Sequence, residues 1–153
     1  MADVARQRRG LRRAAGERAL GADEPSIESI FGTGPFSPVI DVNMDGALLR
    51  GEPIDTTIKV AFVQSGDVQI ELIQPVSGEN LYTEFLETRG EGIHHLGYQV
   101  DELDAMKAVF TRKVGEPVFQ RDMGVMEFAY FDTSEVGGLM IEFLCFKKDL
   151  GSA

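Results

Sequence analysis

One carboxylate stands inside an otherwise apolar run. Glu142 lies in Leu139-Met140-Ile141-Glu142-Phe143-Leu144-Cys145-Phe146. Strand side chains alternate between faces, so Glu142 shares one face with Met140, Leu144 and Phe146, and the opposite face is apolar too. Strands apolar on both faces are usually buried. An unpaired buried charge is costly, so such a carboxylate needs a cation, a metal ion or strong donors. The plainer alternatives are a solvated Glu on an exposed barrel face or a salt bridge to an Arg.

The two histidines of the chain, His94 and His95, are adjacent in Gly92-Ile93-His94-His95-Leu96-Gly97-Tyr98. On a strand they point to opposite faces and cannot ligate one ion side by side. One is expected to face the interior and the other the opposite side. Taken alone, a strand histidine is more often a hydrogen-bonded structural residue. Glu71 lies in Val68-Gln69-Ile70-Glu71-Leu72-Ile73-Gln74. Val68, Ile70 and Leu72 make an apolar face, with Gln69 and Glu71 opposite, which alone reads as an ordinary half-exposed strand. Taken together, Glu71, His95 and Glu142 offer mixed nitrogen and oxygen ligation. That set suits a divalent metal ion: zinc, nickel, cobalt, manganese or ferrous iron. Such an ion acts as a Lewis acid toward substrate oxygens, and a carboxylate beside it, Glu142 or Glu71, moves the proton.

These residues need strands to hold them. Residues 26–31 read as the end of a short helix, broken by Gly32-Thr33-Gly34-Pro35. Residues 36–42 read as a strand and Asn43-Met44-Asp45-Gly46 as a turn. Residues 56–64 and 68–74 form a hairpin across Ser65-Gly66-Asp67, stopped by Pro75. Asn80 caps a short helix carrying Leu81, Phe85 and Leu86. Residues 93–100 are a strand. Asp101 caps a helix over 102–112, where Leu103, Met106, Val109 and Phe110 recur at helical spacing. Strands over 117–120, 127–132 and 139–146 follow. The order from Ile93 onward is β-α-β-β-β. Residues 25–74 repeat that pattern without a recognisable first strand.

The chain has 153 residues, one Cys and a net charge of −10. The charge argues against nucleic-acid binding. No run approaches the roughly 20 apolar residues of a membrane span, and no secretory signal is read. The single Cys145 rules out an intramolecular disulfide framework and fits a reducing cytoplasm. Residues 1–24 carry six arginines and a charge of +2, which leaves −12 on the remainder. They read as a basic tail or helix, with a disordered tail favoured by composition, ahead of a compact domain over 25–148, with a first module about 25–75 and a second about 93–146.

Three stretches resemble the vicinal-oxygen-chelate (glyoxalase/bleomycin-resistance/extradiol dioxygenase) superfamily. They are Lys59 to Pro75, Phe85 to Leu96 followed by Val100 to Ala105, and Phe128 to Thr133 followed by Gly137-Gly138-Leu139-Met140-Ile141-Glu142. The resemblance is nearest to methylmalonyl-CoA epimerase and glyoxalase-like proteins and covers residues 26–146. It implies an α+β fold of paired βαβββ modules forming an open, cupped barrel around a divalent metal. Glu71, His95 and Glu142 are the ligands by position. It further implies a homodimer and an acyl-CoA or similar thioester or ketone substrate. The family's fourth ligand, a histidine on the first strand, has no counterpart, because no histidine precedes His94. Three functions follow from these readings. The first is a metal-dependent isomerase or lyase (epimerase or lactoylglutathione-lyase-like) that removes a proton next to a carbonyl. The second is a non-catalytic small-molecule-binding protein. The third, an oxygen-activating ring-cleavage enzyme, ranks last because only one usable histidine remains.

Overall fold

The computed structural model describes residues 2–3 and 24–148. The expected basic tail falls almost wholly outside them. No helix among the described residues is long and apolar enough to cross a membrane.

The second half holds β7 (His95–Gln99), α3 (Leu103–Val114), β8 (Phe119–Asp122), β9 (Met126–Phe131) and β10 (Met140–Phe146). Strand β10 runs parallel to β7 and antiparallel to β9, which pairs with β8. This is the expected β-α-β-β-β order. One face of these strands packs on α3, where Ala129, Phe131, Phe143 and Cys145 meet Leu103, Met106 and Phe110. The other face holds Phe119, Phe128, Tyr130 and Leu144 in the main core.

The first half holds α1 (Glu24–Phe31), β2 (Ile40–Asn43), β3 (Ala47–Leu49), β4 (Glu52–Ile54), β5 (Thr57–Ser65) and β6 (Val68–Ser77). Strands β2, β5 and β6 form a three-stranded sheet. Its inner face sends Ile58, Val60 and Ile73 into the main core. The β3–β4 hairpin instead pairs with β8 and so extends the larger sheet. A two-residue strand, β1 (Ala2–Asp3), pairs antiparallel with β7 at its far edge. The fold is thus α+β, with a mixed seven-stranded sheet and an antiparallel three-stranded sheet that do not close into a barrel.

Four local expectations are corrected. The β3–β4 hairpin occupies residues 47–54, between the turn at 43–46 and the strand over 56–64, where no element is expected. Its two-residue turn, Arg50-Gly51, has positive φ at both positions (50° and 85°), the geometry of a tight type I′ connection. Pro75 does not end its strand: β6 is an edge strand that continues to Ser77, and its register against β5 shifts beside Pro75. Helix α3 is preceded by Glu102, not Asp101, and no side chain caps it. Strand β2 starts at Ile40 rather than Phe36. Between α1 and β2, Phe36 N–H donates to Glu28 Oε1 and Ser37 N–H to the Phe62 carbonyl, so residues 36–37 are anchored outside the strand.

Candidate active site

Glu142 projects from the middle of β10, opposite Gly97 on β7 and Tyr130 on β9. Gly97 places no side chain beside it, which leaves room for His95, two residues earlier on the same face of β7. His95 is fully buried and Glu142 is 6% exposed. His95 Nε2 lies 3.5 Å from Glu142 Oε2. Of the two readings of the strand glutamate, the solvated one is therefore set aside. The carboxylate is buried beside an imidazole rather than beside an Arg.

The two histidines do not face opposite ways. Both are buried, and their Nδ1 atoms lie 2.9 Å apart. The alternation argument fails because β7 begins at His95: His94 precedes the strand, with its carbonyl accepting from Met140 N–H at 3.2 Å. Neutral imidazoles make such a contact only if one Nδ1 donates and the other accepts. His94 is held well below the usual histidine pKa, first by burial, then by His95 and Arg89.

Two tyrosines complete the cluster. Tyr130 Oη is 3.2 Å from His95 Nε2 and shares a 2.8 Å hydrogen bond with Tyr82 Oη. Burial pushes the Tyr130 phenol well above its ordinary pKa, and the charges of Glu142 and Glu71 push it further. It is a neutral hydroxyl that both donates and accepts. Tyr82 is the second residue of α2 (Leu81–Arg89). Asn80 anchors this helix: its side-chain oxygen accepts from Tyr82 N–H and Thr83 N–H, and the Thr83 hydroxyl closes the capping box. Asn80 is fully buried, and its Nδ2 donates to Thr56 Oγ1, which donates to the Ser77 carbonyl. Tyr82 is therefore tied through the cap to β6.

Glu71 is half-buried on β6, paired with Phe62. Its charge acts on the Tyr130 phenol, so it borders the same cluster. Two ligands about 2.0–2.2 Å from a shared tetrahedral ion stand about 3.3–3.6 Å apart. The His95–Glu142 separation of 3.5 Å meets that requirement. Among the described residues, no group of three His, Cys, Asp or Glu side chains is gathered closely enough to hold an ion. The structure brings together His95 and Glu142, with Glu71 on the border. Sequence reasoning did not name Tyr82, Tyr130 or His94 as site residues. Tyr130 was legible only as a strand residue, since the register that sets it against Glu142 is a long-range pairing.

The sequence matches the Glyoxalase/Bleomycin resistance protein/Dioxygenase superfamily over residues 19–129. The uncharacterized protein YqjC of Bacillus subtilis (strain 168) is 29% identical over 107 residues, covering 67% of this chain and 75% of that protein. A methylmalonyl-CoA epimerase of Streptomyces coelicolor in complex with 2-nitronate-propionyl-CoA aligns with a TM-score of 0.66 at 15% identity, covering 96% of each chain. The methylmalonyl-CoA epimerase of Mycobacterium tuberculosis aligns at 0.59 with 20% identity, covering 99% of this chain and 91% of that one. At these identities the structural likeness speaks for the fold. With the family match spanning most of the residues, the chain belongs to the glyoxalase/bleomycin resistance protein/dioxygenase superfamily.

Proposed function

We propose that this protein is a metal-dependent isomerase or lyase that moves a proton on a carbon next to a carbonyl, with an acyl-CoA thioester as substrate. The carrying observation is the buried His95–Glu142 pair, spaced as two donors to one divalent ion would be. His95 and Glu142 would hold the ion, and Glu71, which borders them, would have to move closer to serve as a third donor. When bound, the ion would supply Lewis-acid stabilisation of the negative charge that builds on the carbonyl oxygen.

The remaining chemistry belongs to the side chains. Glu142 or Glu71 takes the proton from the acidic carbon and returns it. The Tyr130 hydroxyl, backed by Tyr82, orients His95 and stays protonated at working pH. The structural neighbours named above include epimerases of methylmalonyl-CoA, which makes that thioester the first probe. Incubation in deuterium oxide should place deuterium at its α-carbon, measured by mass spectrometry. Glu142→Gln should slow exchange by at least about 100-fold. Exchange at the uncatalysed rate, with any metal supplied, would refute the proposal.

A second reading, a non-catalytic binding protein of the same fold, draws on the absence of a three-donor cluster among the described residues. Ligand binding that survives both chelation and Glu142→Gln would favour it. We further propose a cytoplasmic homodimer.

A further inference from the structure

A cavity of about 510 Å³, its open mouth included, lies between α2 and the start of β10. Leu81, Phe85 and Met140 give it apolar walls, and His94 and Arg89 line it as well. His94 is 1% exposed, and its Nε2 has no hydrogen-bond partner. A buried polar atom left without a partner is costly, and native structures rarely tolerate one. The ring is held by its neighbours: Phe85 meets it edge-on at 5.0 Å and Tyr82 lies 5.1 Å away.

The hydrogen-bond order decides what that atom offers. If His95 Nε2 keeps its lone pair for a metal ion or for the Tyr130 hydroxyl proton, His95 carries its hydrogen on Nδ1. His95 Nδ1–H then donates to His94 Nδ1 across 2.9 Å. His94 must in turn carry its hydrogen on Nε2, where it is an unanswered donor. The cavity therefore wants an acceptor. The charged lining groups are Glu84 and Arg89, with Asp132 within electrostatic reach of Arg89. Lining Glu84 is already paired with Arg50 at 2.8 Å through both carboxylate oxygens. Arg89 remains, one amino group on the Gly138 carbonyl at 2.6 Å and its plane 5.9 Å above the Phe85 ring. A guanidinium has five N–H donors, so most stay available.

We propose that this cavity binds a small aliphatic carboxylate, with one oxygen on His94 Nε2 and the carboxylate beside Arg89. The His94 tautomer rests on the reading of His95 given under the proposed function; the cavity and Arg89 do not. A seated carboxylate fixes the His94 tautomer and, through the Nδ1 contact, favours the His95 tautomer with a free Nε2 lone pair. The pocket would thereby support the His95–Glu142 site from behind.

The test is a titration of the full chain, labelled with ¹⁵N-histidine, with sodium butyrate and separately with n-butanol. Butyrate should shift His94 Nε2 saturably, with both histidines in the tautomers stated, and butanol should not. Arg89→Gln should weaken binding at least tenfold, and Thr88→Trp, an exposed lining position at the mouth, should block it without unfolding the chain. Equal, unsaturated drift with both solutes would overturn the proposal, as would His94 reading as the Nδ1–H tautomer or unchanged affinity in both variants. Deuterium exchange at the acyl-CoA α-carbon is measured separately. Its absence beside saturable butyrate binding would sink the catalytic reading and leave the pocket standing.

Discussion

Tyr130 ties the site together at the residue scale, because its hydroxyl touches both His95 and Tyr82. Tyr130→Phe removes that hydroxyl, so buried Tyr82 Oη and His95 Nε2 each lose one hydrogen-bond contact. The expected cost is about 1–3 kcal/mol, read as a lowered urea midpoint with an unchanged slope. A midpoint equal to the parent would show that the bridge contributes nothing. The two shifted groups also set how stability varies with pH. Tyr130 titrates higher in the folded state than its unfolded value of about 10, so its contribution is complete below pH 10 and is lost as pH rises beyond it. His94 titrates lower than its unfolded value of about 6.5. The native state then binds fewer protons, and stability present above pH 6.5 falls as pH drops below it. Urea midpoints at pH 7.5 and 5.5 should therefore differ, with the lower at pH 5.5. A midpoint that holds or rises at pH 5.5 would contradict the burial of a neutral His94.

At the element scale, the cap of α2 controls where Tyr82 stands. Asn80→Ala removes the side-chain oxygen that accepts from two backbone N–H groups, and the link to Thr56, in a fully buried place. The expected loss is about 1–2 kcal/mol from the cap alone, measured by thermal or urea unfolding. Gly78, just before it, has φ +74°, and a Cβ there would collide with the Asp55 carbonyl oxygen. Gly78→Ala should cost at least roughly 1–3 kcal/mol through strain. Parental stability in either variant would mean that the α2 junction tolerates rearrangement. These elements also show what sequence can carry. Asn80, the 65–68 connection and the α3 stripe are local signals, and each stands where its residue types put it. The β3–β4 hairpin was missed because its turn uses Arg50 at positive φ, a residue with no turn signature. Glu142 announced itself by a charge in an apolar strand. The His94–His95 contact did not, since it depends on where β7 starts, and a one-residue shift in that start reverses which way a side chain points.

On the scale of the whole molecule, the two sheets meet across one core, and the site sits where β7, β9 and β10 present their inner faces. The edge strands of the two sheets are β1 and β4, and β2 and β6, and unpaired edges invite a second chain. Light scattering after size exclusion should give twice the 16.8 kDa chain mass. A mass of one chain at working concentration would remove the proposed homodimer. The central claim is that Glu142 and His95 form a metal-assisted proton-transfer site. The most direct measurement is deuterium incorporation at the α-carbon of the acyl-CoA probe, with metal-replete and chelated protein side by side. The account predicts exchange that is fast with metal, lost on chelation, restored by added divalent ion and lowered at least about 100-fold by Glu142→Gln. Exchange no faster than in buffer, or exchange untouched by chelation and by Glu142→Gln, would contradict it.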